Sequence, residues 1–162
     1  MKHRNHRKLG TIKRAKFVQR DEQTGRRLKP SMKAGINYEN KITALLDEKY
    51  SHLGGTLSGA WIKYDEEMGT HSHYCQPDII LFDPWKGYVY IIECKLTHNS
   101  EAFYQMSNKY LPILEWMFPK WKFACIEVFK NFSRWKWPRL EGCIASLEEI
   151  KQPGYYMWNW YV

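Results

Sequence analysis

The period of hydrophobic and polar positions changes several times along this chain, and the changes mark its elements. From Gln76 to Lys95, QPDIILFDPWKGYVYIIECK, two runs rich in Ile, Val, Tyr and Phe flank Asp83-Pro84-Trp85-Lys86-Gly87. That is the pattern of two antiparallel strands joined by a tight turn. Pairing Asp83 with Tyr88 closes a four-residue loop and sets Asp78 directly opposite Glu93. Upstream, Pro30 and Ser31 offer a break and a cap, and residues 34–50 follow a helical period, with Ile36, Ile42, Leu45, Leu46 and Tyr50 on one stripe. Residues 51–59 read as a flexible turn, 60–64 as a short strand and 65–71 as a polar loop. Residues 97–100 are a polar break. The helix predicted over 101–117 then carries Phe103, Met106, Tyr110, Leu114 and Met117 as its core stripe. Pro119 ends it, and 121–129 alternates as a strand. Further on, 142–145 reads as a short strand, 146–151 as a short helix, and 155–162, YYMWNWYV, as a strand or an aromatic patch. An edge strand and a dimer surface are both open to that patch, and the expectation carried forward is a homodimer. The order of elements predicts an α/β core, a mixed sheet flanked by helices.

Composition sets outer limits. With 162 residues, 44% of them hydrophobic, the chain is long enough for one domain with a proper core. No apolar run approaches the roughly 20 residues a membrane helix requires, and the basic N-terminus lacks the apolar stretch of a secretion signal. A soluble, cytoplasmic protein is expected, in the host cytoplasm if the chain is phage-encoded. Cys75, Cys94, Cys125 and Cys143 are widely spaced with no Cys-x-x-Cys pair, which argues against a zinc ribbon or an iron–sulfur cluster. Cys94 and Cys125 lie in apolar runs and read as small buried hydrophobes. His71-Ser72-His73-Tyr74-Cys75 reads as a polar approach to the hairpin, with metal ligation as the competing reading.

Charge divides the chain unevenly. Residues 1–30 hold eleven Lys or Arg against Asp21 and Glu22, a balance of +9, while the remainder balances at −1, giving the net +8. Residues 1–30 are therefore expected to be a basic arm, mobile until bound, and 31–162 a single domain. Arg4, Arg7, Lys8, Lys13, Arg14 and Lys16 are its candidate phosphate contacts, since neutralising phosphates releases counterions. A second candidate lies at 130–139, where cations alternate with aromatics. Arg134, Trp135 and Lys136 suit the gripping of unstacked bases, although tryptophans packed on a core with cations snorkelling outward fit equally.

The hairpin concentrates the chemistry. Opposed residues in an antiparallel pair have Cβ atoms about 4.5–5.5 Å apart, and Lys95 shares a face with Glu93. Two carboxylates and an ammonium thus converge on an otherwise apolar strand pair. Like charges so placed destabilise a sheet unless partners or a hard cation such as Mg²⁺ reconcile them. Glu39 adds to this, because it falls inside the apolar stripe of its helix near Ile42 and Leu46. It is either a stripe-edge carboxylate that reaches water or an inward-facing functional group.

Pro77-Asp78, fourteen residues, then Glu93-Cys94-Lys95 resembles the motif of the PD-(D/E)XK nuclease superfamily. The resemblance covers about residues 34–130. Within the superfamily the chain is most similar to the small phage endonuclease I type of Holliday-junction resolvase, with Glu39 preceding Asp78 by 39 positions. The resemblance implies a restriction-endonuclease-like core and an Mg²⁺-dependent endodeoxyribonuclease, with Mn²⁺ able to substitute. It implies metal ligation by Asp78, Glu93, the Cys94 backbone carbonyl and Glu39. Lys95 would orient the nucleophile, and Gln105 would help orient the site. The implied partner is DNA. A non-catalytic nucleic-acid-binding protein on a nuclease-like fold, a sequence-specific nuclease or exonuclease of the same superfamily, and an assembly protein are the alternatives.

Overall fold

A computed structural model describes residues 7–20, 29–131 and 153–162. The turn at 83–88 explains the central hairpin. Asp83 Oδ1 accepts from the backbone N–H groups of Trp85 and Lys86, each at 3.1 Å, and Gly87 supplies the left-handed residue at φ +69°. That local chemistry fixes the register of β5 (Ile79–Asp83) against β6 (Tyr88–Thr97), with Asp83 paired to Tyr88 and Ile79 to Ile92. The register read from the sequence is the register of the structure.

Five strands form the main sheet in the order β2-β5-β6-β7-β8, with β2 (Thr56–Ser58), β7 (Lys122–Asn131) and β8 (Tyr155–Asn159). The β2, β5 and β6 neighbours are antiparallel, whereas β6, β7 and β8 run parallel. Helix α1 (Pro30–Lys49) covers one face, burying Tyr38, Ile42 and Leu46 against Ile79, Leu81, Ile92 and Val128. The other face is covered by a helical run made of α2 (Glu101–Gln105), a π-turn (Met106–Tyr110) and α3 (Leu111–Met117). Ala102, Met106, Tyr110, Ile113 and Leu114 pack there on Ile80, Val89, Ile91 and Cys125. The protein is thus an α/β fold with a mixed sheet between helices. Each fully buried Ile, Leu, Val or Met among these stabilises it by about 1.5–3 kcal/mol.

Pro112 explains the break in regularity of that helical run. It has no N–H to offer the Asn108 carbonyl four residues back, and this carbonyl accepts from the Leu9 N–H at 3.3 Å. The helix thereby receives the N-terminal segment.

Several expectations change here. Residues 12–18 of the expected mobile arm form strand β1 (Ile12–Val18), paired antiparallel with β3 (Trp61–Glu66), which pairs in turn with β4 (His73–Cys75) in a second, three-stranded sheet. The domain therefore reaches back beyond residue 31. A register shift between Ile12 and Arg14 breaks the alternation, which hid the strand behind Lys13, Arg14 and Lys16. The turn expected over 51–59 contains β2, which Asp47 tethers by accepting from Thr56 N–H at 3.0 Å. The polar loop starts later than expected, since Asp65 and Glu66 belong to β3. On α1, Ile36 is exposed and Tyr38 takes the inward place, its hydroxyl donating to the Trp160 carbonyl at 2.8 Å.

The aromatic C-terminus supplies β8, beside β7 at one end of the strand order. Trp158 and Trp160 stack at 4.5 Å and pack toward α1. The predicted strand 142–145, the helix 146–151, Cys143 and most of the 130–139 stretch, including Arg134, Trp135 and Lys136, lie outside the described residues. Among the described residues no helix is long and apolar enough to cross a membrane.

Candidate active site

The site forms where the two sheets meet. Strand β4 ends at Cys75, and Gln76-Pro77-Asp78 carries the chain into β5. Gln76 Nε2 donates to the Gly59 carbonyl at 2.8 Å, and Gly59 N–H donates to the Asp78 carbonyl at 3.0 Å. With its backbone pinned, Asp78 turns its side chain onto β6, where Oδ2 accepts from Cys94 N–H at 2.8 Å. A carboxylate thus takes up a backbone donor just past the last paired residues of the two strands. Glu93 sits beside it, nearly fully buried, and Lys95 Nζ donates to Glu93 Oε1 at 3.2 Å. The expected convergence of Asp78, Glu93 and Lys95 is what the structure contains.

Neutralisation is incomplete. Glu93 Oε2 is buried and meets no N–H or O–H donor, and only a proton shared with the Asp78 carboxyl would satisfy it. Burial and the neighbouring Asp78 charge push the Glu93 carboxyl well above the usual range, with Lys95 only partly opposing. Burial also raises Asp78, against the Cys94 N–H and Lys95. Glu39 comes from the opposite face of the sheet, yet it belongs to the same group electrostatically. Burial and Asp78 push its pKa up to about 7, and Lys95 pulls it down. Glu39 is half-buried, and its carboxyl feels both Asp78 and Lys95. For Lys95, burial works against the charge, but Glu93 and Asp78 outweigh it and raise the pKa. The ammonium stays charged, which makes it a cation for the site and not a free base.

Gln105 reaches the site at one remove. Its amide donates to the Tyr110 hydroxyl, which donates to the Gln76 carbonyl at 3.2 Å. Burial and then the Glu93 charge raise the Tyr110 pKa. Tyr110 supports the Gln76–Asp78 turn from the π-turn. The helical stripe marked Tyr110 as core and gave no hint of this task.

A second acidic group lies alongside. Glu127 on β7 is in register with Glu93 on β6, so both point to the same face of the parallel pair. Its partners are complete: His98 Nδ1 lies 2.9 and 3.0 Å from its two oxygens, Tyr155 hydroxyl donates at 3.4 Å and Asn99 N–H at 3.4 Å. Sequence reasoning missed this cluster, because its members come from the segment just after β6, from β7 and from β8, and no local pattern joins them.

The basic residues have divided fates. Arg7 is bound by Glu66, which also accepts from Gly10 N–H at 3.0 Å. Arg14 pairs with Asp65 at 3.3 Å. Lys8, Lys13 and Lys16 are exposed, and Arg4 lies outside the described residues. In the segment 71–75, Cys75 is buried in the core and the His73 ring lies 5.5 Å from that of Tyr64. Cys75, Cys94 and Cys125 are free thiols.

The donors at Asp78 and Glu93 are hard oxygens, one of them orphaned and buried, and that fits a hard divalent cation. Among the described residues no three His, Cys, Asp or Glu side chains stand together as a cage. A small cation held by one or two carboxylates, with water and substrate phosphate completing its shell, needs no such cage. Comparison of the chain with protein-family models, with curated proteins and with solved structures found no match.

Proposed function

We propose that the protein is an Mg²⁺-dependent endodeoxyribonuclease on a restriction-endonuclease-like core, hydrolysing DNA phosphodiester bonds at the Asp78–Glu93–Lys95 group. The observation that carries this reading is the buried, unpartnered Glu93 Oε2 beside Asp78, with one lysine for three carboxyls. A sheet designed only to fold has no use for such an arrangement, whereas a site that receives a cation and a phosphate does.

Asp78 and Glu93, with the Cys94 carbonyl, would hold Mg²⁺, and Glu39 would join them directly or through water. Mn²⁺ suits the same oxygens. When bound, the ion supplies Lewis-acid polarisation of the phosphoryl oxygen and a bound water of lowered pKa. The chain's own residues do the rest. Lys95, held by Glu93 and kept charged, faces the scissile phosphate and offsets the negative charge that grows during attack. Glu39, whose pKa burial and Asp78 raise to about 7 in the metal-free protein, would give up its proton as the cation binds. Tyr110 and Gln105 hold the Gln76–Asp78 turn, so that the Asp78 carboxylate stays in place.

The resolvase type within the superfamily sets the substrate test. Labelled four-way junction, linear duplex and single-stranded DNA are incubated with Mg²⁺, with EDTA and with Asp78→Ala as controls. Junction-selective, EDTA-sensitive cutting that the variant loses supports a junction-resolving endonuclease. Equal cutting of duplex keeps the chemistry and discards junction selectivity. Full Mg²⁺-dependent activity in Asp78→Ala overturns the assignment of the site.

A further inference from the structure

The three-stranded sheet has one apolar face and one that the site does not use. Ile12, Ile62, Tyr64 and Cys75 point inward to the core. By alternation, Lys16, Lys63, Trp61 and Tyr74 point the other way. Lys16 stands directly opposite Lys63, and Tyr74 is the next residue across, so one row over the three strands reads Lys, Lys, Tyr. Like charges placed opposite one another destabilise a strand pair. The acid on this face, Asp65, pairs with Arg14 one row away and also attracts Lys63, which leaves Lys16 and Arg20 in excess over it.

Beside that row, the Arg20 guanidinium lies over both Trp61 and Tyr74, 4.7 and 4.2 Å from their ring centroids. Two aromatic rings thus hold a cation in place at the end of a lysine row. This end of the sheet adjoins the carboxylate site. Trp61 follows Gly59, whose N–H binds the Asp78 carbonyl, and Tyr74 precedes Asp78 by four residues.

We infer that the outward face of the β1–β3–β4 sheet binds a single strand of the substrate DNA and leads it toward Asp78. Lys16, Lys63 and Arg20 contact phosphates, and bases stack on Tyr74 and Trp61. Charge complementarity selects a polyanion. The rings beside cations, Tyr74 exposed and Trp61 partly so, select one with unstacked bases, because rings give affinity to free base faces and none to a closed duplex. The inference rests on the nuclease reading for its direction of travel but not for binding itself.

The test uses the full-length protein in EDTA and a fluorescein-labelled oligothymidylate, with binding read by anisotropy across a salt series. Lys16→Gln/Lys63→Gln weakens binding about tenfold. It also lowers the slope of log K against log salt by about 1.4, two contacts at roughly 0.7 each. Tyr74→Leu weakens binding about fivefold or more with the slope unchanged, because stacking releases no ions. Circular dichroism of each variant verifies its fold, and Lys63→Gln alone serves where the double variant is impaired. Unchanged affinity in the lysine variants overturns the surface, whatever the protein cleaves. Loss in the lysine variants without effect at Tyr74, with duplex bound more tightly than oligothymidylate, overturns the single strand as occupant. Binding that follows these variants in a protein that cuts nothing keeps the surface and removes the nuclease reading.

Discussion

Glu93 and Glu127 are the same residue type, in register on adjacent parallel strands, facing the same side of the same sheet. Their surroundings are opposite. Glu127 is fully buried, and His98, Tyr155 and the Asn99 N–H satisfy both of its oxygens. Glu93 is almost as buried and shares one lysine with Asp78 and Glu39, and one of its oxygens has no partner. A buried carboxylate with its partners is structure. One left short of partners, beside two more acids, is held there at a cost to folding, and such costs gather at functional sites. The difference between the two glutamates, more than the presence of acids, marks the candidate site.

The comparison breaks most visibly in activity. Asp78→Ala, Glu93→Ala and Lys95→Ala are each expected to lower DNA cleavage by about 10³-fold or more, while binding in EDTA is largely kept. Next in size is stability at the other glutamate. Glu127→Ala leaves His98 and Tyr155 without their acceptor in a closed core and is expected to cost about 3–5 kcal/mol in urea unfolding. Glu93→Gln removes an under-neutralised charge and keeps an acceptor for Lys95, and is expected to leave the metal-free protein no less stable than wild type at pH 8. A loss of stability there as large as at Glu127 would erase the distinction.

The distinction also predicts a pH dependence. Asp78, Glu93 and Glu39 hold protons more tightly in the folded chain than in the unfolded one. These groups therefore take up protons on folding, and their contribution to stability is greatest at low pH, opposite in sign to that of Glu66 and Asp65. It falls as pH rises from the ordinary Glu value of 4.5 through about 7, where Glu39 ionises, and further as the buried pair follows. The metal-free protein should melt higher at pH 5.5 than at pH 8, by a margin that shrinks in Glu39→Gln and Glu93→Gln. Mg²⁺ competes with those protons, so it should raise the melting temperature more at pH 8 than at pH 5.5. The smallest effect is Tyr110→Phe, about 0.5–1.5 kcal/mol for the lost bond to the Gln76 carbonyl, with a drop in cleavage beyond that expected from stability alone.

How much of this the sequence discloses depends on how local the cause is. The hairpin register was legible because Asp83 and Gly87 determine the turn and the alternation on each side agrees with it. Asp78, Glu93 and Lys95 followed from that register by counting. Strand β1 was not legible, since its bulge after Ile12 breaks the period of two and its exposed residues look like a solvated tail. Glu66 and Asp65, which hold Arg7 and Arg14, are more than 50 residues away from them in sequence. Tyr110 reads as core by its spacing, and the π-turn that aims its hydroxyl at Gln76 comes from Pro112 and the packing of Leu9. The His98–Glu127–Tyr155 cluster needs three strands assembled before any of its members has a partner. Pairings made by the sheet as a whole leave no trace in a local pattern.

One paired measurement bears most directly on the central claim. Glu93→Gln and Glu127→Gln make the same change on neighbouring strands, and each variant is assayed for melting temperature and for Mg²⁺-dependent cleavage per folded molecule at a temperature where both are folded. The expected result is a Glu93→Gln protein that melts no lower than wild type and cuts no DNA, and a Glu127→Gln protein that melts lower and still cuts. Cleavage that survives in Glu93→Gln, or that is lost equally in both variants, would contradict the account.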